Sequence, residues 1–260
     1  MAKKIVTEEK IEKTPAPREH AGTVQEYQSQ GAWGGEEIAN EDLVIPKILL
    51  MQPMSVLVTE GIAKIGEFRD SLNKDRALGS DKSPVEIIVF GSFKTWIEYK
   101  DGEYDTTKKM DATNADLPLE EILEDGSVIT RDKVLNFYNL VAGDISSGDA
   151  FPFVLSCRRS SYQTGKKLST HIKKLQMFKK PSAAKVFSLS SRKETNEKGT
   201  FFVTDVEVLR DATSEEMATA YEWYKLLAKA KVKVDESDLV PDSASTVSPQ
   251  STTAENSARM

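Results

Sequence analysis

The 260-residue chain has one cysteine, Cys157, and two histidines, His20 and His171. A disulfide framework is excluded, and the usual zinc ligand sets cannot be assembled from so few Cys and His side chains. Apolar runs are short as well. Val44 to Met51 and Val85 to Phe90 fall far below the roughly 20 residues needed to cross a bilayer, so no membrane partner is expected. The first residues, Met1 to Lys10, are charged and lead into a Pro-containing segment rather than an apolar signal core. Secretion is therefore not expected, and a reducing, cytoplasmic setting is.

Catalytic signatures are also lacking. Thr164-Gly165-Lys166-Lys167 has the Gly-Lys pair of a phosphate loop without its first glycine or the hydroxyl residue after the lysine. There is no GxSxG elbow, no HExxH and no zinc-deaminase pattern. Cys157 with His171 could in principle be a nucleophile and base, with Arg158 and Arg159 lowering the thiol pKa, but a place at the end of an apolar strand reads as structural. Glu120, Glu121, Glu124 and Asp125 could hold a magnesium ion in a nuclease, or be a solvated helix face. No catalytic residue, metal site or cofactor is assigned, and the chain is read as a non-enzyme.

The charge distribution is what the sequence does offer. The whole-chain net charge is −6, with 39% hydrophobic and 29% charged residues, as in ordinary globular proteins. Phe151 to Thr200, however, holds 12 basic residues (Arg158, Arg159, Lys166, Lys167, Lys173, Lys174, Lys179, Lys180, Lys185, Arg192, Lys193, Lys198) against 2 acidic ones, a local net of +10 that leaves −16 for the remainder. An acidic molecule with one basic stretch focuses a positive surface that attracts polyanions.

Residues 1–40 are Lys-, Glu-, Thr- and Pro-rich and read as a flexible arm; 232–260 are rich in Ser, Thr, Asp and Pro and read as a disordered tail. Between them, 41–231 reads as a single domain, mainly β with two or three helices. Strands are expected at Leu43 to Met51, Ala63 to Asp70, Pro84 to Tyr99 with a bulge at Gly91, and Val134 to Ala142. Further strands are expected at Phe151 to Cys157, Ala184 to Ser190 and Thr200 to Leu209. Asp101-Gly102 is a two-residue hairpin signal. A short acidic helix is expected at Asp116 to Glu124, with Leu117, Leu119, Ile122 and Leu123 inward. A longer helix is expected from Ser161 to Phe178, with Leu168, Ile172 and Leu175 as its apolar stripe. Thr213 and Glu216 form a capping box that opens a last helix. The arrangement suits an OB-like, partly open β-barrel.

Sequence-tolerant binding of single-stranded nucleic acid needs cations along the phosphates and aromatic faces for the bases. Trp96, Tyr99 and Tyr162 are the candidate platforms, with Trp96 beside Lys94 on what period 2 makes the outward face of the long strand. Arg158, Arg159, Lys166, Lys167, Lys173, Lys174, Lys179, Lys180, Arg192 and Lys193 are the candidate phosphate contacts. The alternatives are that the aromatics fill the core and that the lysines are a solvated surface or a face for an acidic protein partner.

Several segments carry a likeness. Glu41 to Gln52, Val58 to Gly61, Gly66 to Asp70, Phe153 to Thr170 and Ala184 to Val203 together resemble a group of bacteriophage-encoded, replication-associated proteins, some regarded as single-stranded DNA-binding proteins. The likeness spans about 41–210. It implies non-enzymatic binding of single-stranded DNA in replication or recombination, with RNA not distinguished and phage or host replication proteins as further partners. It also points to Ser161 to Lys167 and Ser191 to Asn196 as DNA contacts. Many single-strand binding proteins end in an acidic tip with a terminal aromatic, which Asn256 to Met260 does not match, so recruitment through such a tip is not expected.

Overall fold

The computed structural model describes residues 39, 42–197, 199–229 and 233–235. The N-terminal arm, apart from Ala39, and the tail beyond Asp235 lie outside the described residues. All elements below belong to the unit that begins at Asn40.

Two long strands form the spine. β5 (Val85–Lys100) and β8 (Val128–Val141) pair antiparallel from Ile87↔Val141 to Lys100↔Ile129, with a register shift between Val89 and Gly91 where the bulge is expected. Each spine strand changes neighbours midway. The first half of β5 pairs β10 (Lys185–Asn196), and its second half pairs β6 (Glu103–Lys109). β8 pairs first β7 (Glu120–Ile122) and then β9 (Phe153–Cys157). β11 (Gly199–Asp211) closes the order through its hairpin with β10, giving seven strands. A three-stranded antiparallel sheet, β2 (Ile48–Leu50), β3 (Phe68–Asp70) and β4 (Ala77–Gly79), packs beside it. β1 (Val44–Ile45) pairs parallel with β12 (Lys233–Val234), so two residues inside the expected tail form a strand.

The helices among the described residues are α1 (Val56–Thr59), α2 (Ala142–Ser147), α3 (Tyr162–Met177) and α4 (Ser214–Lys229). The class is thus mainly β with helices, and the sheets do not close into a barrel. The sheet order ends at β11 and β7, which among the described residues do not pair with each other.

Alternation assigns the two faces. Val85, Ile87 and Val89 of β5, with Leu135, Phe137, Leu155 and Phe187, pack on one side against Leu168 and Ile172 of α3 and against Phe68 of β3. Ile88 and Phe90 point to the other side, where Ile145 of α2 and Ala220 of α4 cover them. Both faces being covered explains the unbroken apolar run Ile87 to Phe90. The Asp101-Gly102 turn has φ of 51° and 89° at its two residues, the left-handed pair a two-residue hairpin requires.

Several expectations need correction. The acidic helix at 116–124 is absent: Pro118 interrupts the segment, Glu120–Ile122 pair with Val128–Thr130, and Leu119 and Ile122 face solvent, Ile122 at 71% exposure. β8 begins at Val128, before the expected strand, and α2 occupies what reads as a loop at Gly143 to Gly148. The expected strand from Ala63 shrinks to Phe68–Asp70, and Pro46 splits the one expected from Leu43 into β1 and β2.

A charged clamp fixes α4 to the sheet. Thr213 N–H donates to the Glu216 carboxylate at 2.7 Å and Glu216 N–H to Thr213 Oγ1 at 3.2 Å, while Arg210 donates to both Glu216 oxygens and to Glu86. The Arg210 hydrogen bonds, helped by the cap, hold the Glu216 carboxyl down at about 2 from its usual 4.5 against the opposing effect of burial. A carboxyl depressed on folding stabilises fully above the unfolded value, so this contribution is complete above about pH 4.5 and is lost as pH falls toward about 2. At about 1.36 kcal/mol per unit the ceiling is about 3 kcal/mol, and solvent screening of the partly exposed Arg210 reduces it to about 1–2 kcal/mol. Denaturant unfolding across that pH window should show this loss in the wild type and a flatter profile in Glu216→Gln.

Candidate nucleic-acid interface

α3 carries most of the basic stretch, and its seat decides which cations face outward. Thr164, Gly165, Leu168, Ile172 and Leu175 are buried, as the i, i+4, i+7 stripe requires. Gly165 makes the closest approach: a Cβ there would lie 2.8 Å from Cys157 Cβ and 3.0 Å from Leu135 Cδ1. Thr164 Oγ1 donates to the Thr204 carbonyl, tying the same turn to β11. Cys157 beneath is fully buried, its thiol pushed up to about 12 by burial, so it serves as packing.

At the N-terminal end of α3 the cations are committed within the protein. Arg158 donates to the Tyr99 hydroxyl at 2.8 Å, and Arg159 lies 5.4 Å from the centre of the same ring while pairing with Asp132 at 2.6 Å. Lys166 sits 5.2 Å from the centre of the half-buried Tyr162 ring, and Lys167 pairs with Asp205 at 2.9 Å. Asp205 is lowered in consequence: burial would raise it, and the hydrogen bonds from Lys167 and the Val206 backbone overcome that. A broad groove of about 990 Å³ opens beside this end, lined by Lys47, Arg158, Ser161, Phe201 and Phe202 among others.

The C-terminal end differs. Lys173, Lys174, Lys179 and Lys180 are all exposed, and among the described residues none forms an ion pair or side-chain hydrogen bond. Phe178 stands between the two lysine pairs at 77% exposure, with Met177 beside it. The chain leaves the helix through Lys179, whose φ of 55° is the left-handed value that glycine ordinarily supplies after a helix. Lys180 N–H closes back on the Leu175 carbonyl at 2.9 Å, and Pro181 follows. Holding a lysine there costs about 1–2 kcal/mol relative to glycine, and it retains a cation at the tip. A groove of about 490 Å³ runs along this end, lined by His171, Lys174, Leu175, Phe178, Lys180, Lys185 and Val208. The two ends lie about 24 Å apart at 1.5 Å per residue.

The remaining expected residues lie on other strands. Trp96 is not a platform: it is fully buried, its indole N–H donates to the Asn114 carbonyl at 2.8 Å, and Lys133 Nζ lies 4.8 Å from its ring centre. Both faces of β5 are covered at this point, so period 2 alone could not tell outward from inward. Lys94 is exposed two residues away. Tyr99 is half-buried beneath the two arginines. Arg192 pairs with Glu194 at 2.8 Å, and Lys193 is exposed beside it on β10. Phe178 is the residue that the sequence reading missed, although the pattern Lys-Lys, four residues, Lys-Lys with an aromatic inside was there to be read.

These features belong to a bacteriophage protein. The chain belongs to the Pam3 phage gp34-like protein family, whose model matches residues 12–233. No curated protein and no solved structure matches it. Among the described residues, no helix is long and apolar enough to cross a membrane.

The seat of α3 is tested at Gly165. Alanine there gains about 1 kcal/mol of helix propensity but forces a methyl into Cys157 and Leu135, at about 1–3 kcal/mol. Gly165→Ala should therefore unfold at lower denaturant than the wild type, whereas Ser169→Ala, on the half-buried flank of the helix, should not.

Proposed function

We propose that this phage protein binds single-stranded DNA with little sequence preference, as a coating or annealing factor in replication or recombination. The observation that carries the reading is the exposed Phe178 between Lys173, Lys174, Lys179 and Lys180 at the tip of α3. Phosphates need cations that are not already paired, and bases need an aromatic face that water can reach. The N-terminal end of α3 supplies cations already bound to Asp132, Tyr99 and Asp205, so it contributes less. The apolar wall of the basic groove, Leu175 and Val208, suits the ring of a base, and His171, Lys174 and Lys185 suit its phosphate. Lys185 holds Asp211 as a counter-ion at 2.6 Å, lowering that carboxyl chiefly through their hydrogen bond, with Lys180 adding a weaker charge interaction, so DNA must compete with Asp211 directly at Lys185 and at longer range at Lys180. RNA shares the phosphate and stacking chemistry, and only a contact to the 2′-hydroxyl separates the two.

Fluorescence anisotropy with labelled oligothymidylate, run over a range of salt, tests the proposal. Engagement of about four lysines predicts a slope of log K against log salt near −3, at about 0.7 per phosphate. Phe178→Ala should weaken binding by about 1–3 kcal/mol while shifting the unfolding midpoint little, because the residue is 77% exposed. A flat salt response, or equal affinity for duplex and single strand, would contradict the proposal.

A further inference from the structure

α4 presents a second aromatic surface next to the basic tip. Its inward stripe of Glu216, Ala220, Trp223 and Leu227 is committed to the fold, and Trp223 donates its indole N–H to the Ala150 carbonyl at 3.2 Å and meets the Phe151 ring edge-on. Tyr221 and Tyr224 point the other way, 58% and 51% exposed, with rings inclined by 21° and centres 6.4 Å apart. Among the described residues neither phenol hydroxyl has a hydrogen-bond partner. Their rings form one wall of a groove of about 580 Å³ that is floored by Phe90, Ile172, Ala183 and Met217.

Lys180 lines this groove and also the basic groove on the other side of the helix tip, so the two meet at that side chain. No acidic side chain lines either one; Lys225, 4.8 Å from the Tyr221 ring centre, is paired with Glu222 at 2.7 Å and so is not a free cation.

We infer that the tyrosine groove is a nucleobase-binding site for the same single strand whose phosphates lie on the α3 lysines, with Lys180 as the crossing point. The inference rests on the single-strand reading above. Bases entering from the lysine tip meet two nearly parallel rings, an apolar floor, and the Ser92, Gln176 and Ser182 side chains, which can donate or accept with any base. Charge favours this occupant, since the approach to the groove is cationic on the Lys180 side. An acidic or apolar protein segment in the same groove is the competing outcome.

The test pairs affinity with photo-cross-linking of iodouracil-substituted oligonucleotides to the full chain. Tyr221→Ala/Tyr224→Ala should weaken binding of a single strand of about 16 nucleotides by about fivefold to a hundredfold. The conservative Tyr221→Phe/Tyr224→Phe variant should bind like wild type, because stacking needs the ring and not the hydroxyl. Cross-links in the wild type should map to both Phe178 and the tyrosine pair. If the wild type binds and cross-links at Phe178 while the alanine pair leaves affinity unchanged, the tyrosine site is wrong and the DNA reading stands. If the wild type binds no single strand, the DNA reading fails and takes this site with it.

Discussion

Everything proposed for this protein depends on how one helix is seated. α3 lies on the sheet through Gly165, where a Cβ would press into Cys157 and Leu135, and through Leu168 and Ile172 sunk into the core shared with Phe187 and Leu135. That contact sets the rotation of a 16-residue helix about its axis. The lysines are then sorted by geometry: those near Tyr162 fall within reach of Asp205 and a tyrosine ring, and those beyond Ile172 fall over open solvent. The positive-φ residues Arg159 and Lys179 bracket the helix, so both of its ends are held by backbone conformations that non-glycine residues seldom adopt.

The same contrast explains how an acidic chain can present a cationic site. Much of the basic excess between Phe151 and Thr200 is spent inside the structure, on Asp132, Asp205, Asp211, Glu194 and aromatic faces. What remains is a compact group at one end of α3, at the meeting point of two grooves with aromatic walls. Buried pairs elsewhere serve the fold. Glu98, which burial alone would raise, is held below the usual carboxylate range by Lys108 and Arg131, and Arg131 continues to Glu121 on β7. That chain of charges stitches the half of the spine that lacks a large apolar core.

Local signals made much of this legible from sequence. The Asp101-Gly102 turn, the bulge near Gly91, the α3 stripe and the Thr213/Glu216 cap each arise from a few neighbouring residues, and each stands where the pattern puts it. Apart from the breaks at Pro46 and Pro118, which are local, the main failures are tertiary. The segment at Asp116 to Glu124 has helical apolar spacing but lies along the edge of β8, where backbone pairing outweighs a weak stripe. Trp96 alternates as an outward residue, yet the loop through Asn114 folds over it. The lysines could be counted but not sorted, because Asp132, Asp205 and Asp211 reach them from distant strands. The forked pairing of β5 lies beyond any local pattern.

Charge reversal at the two ends of α3 tests the central claim most directly. Lys179→Glu/Lys180→Glu, just past the C-terminus of α3, and Lys166→Glu/Lys167→Glu, in its first turns, change net charge equally and in exposed positions. Binding of labelled oligothymidylate by anisotropy should be nearly abolished by the first pair and only modestly weakened by the second. Equal losses would show a diffuse electrostatic attraction with no site at the helix tip, and a greater loss from the second pair would move the site to the groove beside Arg158.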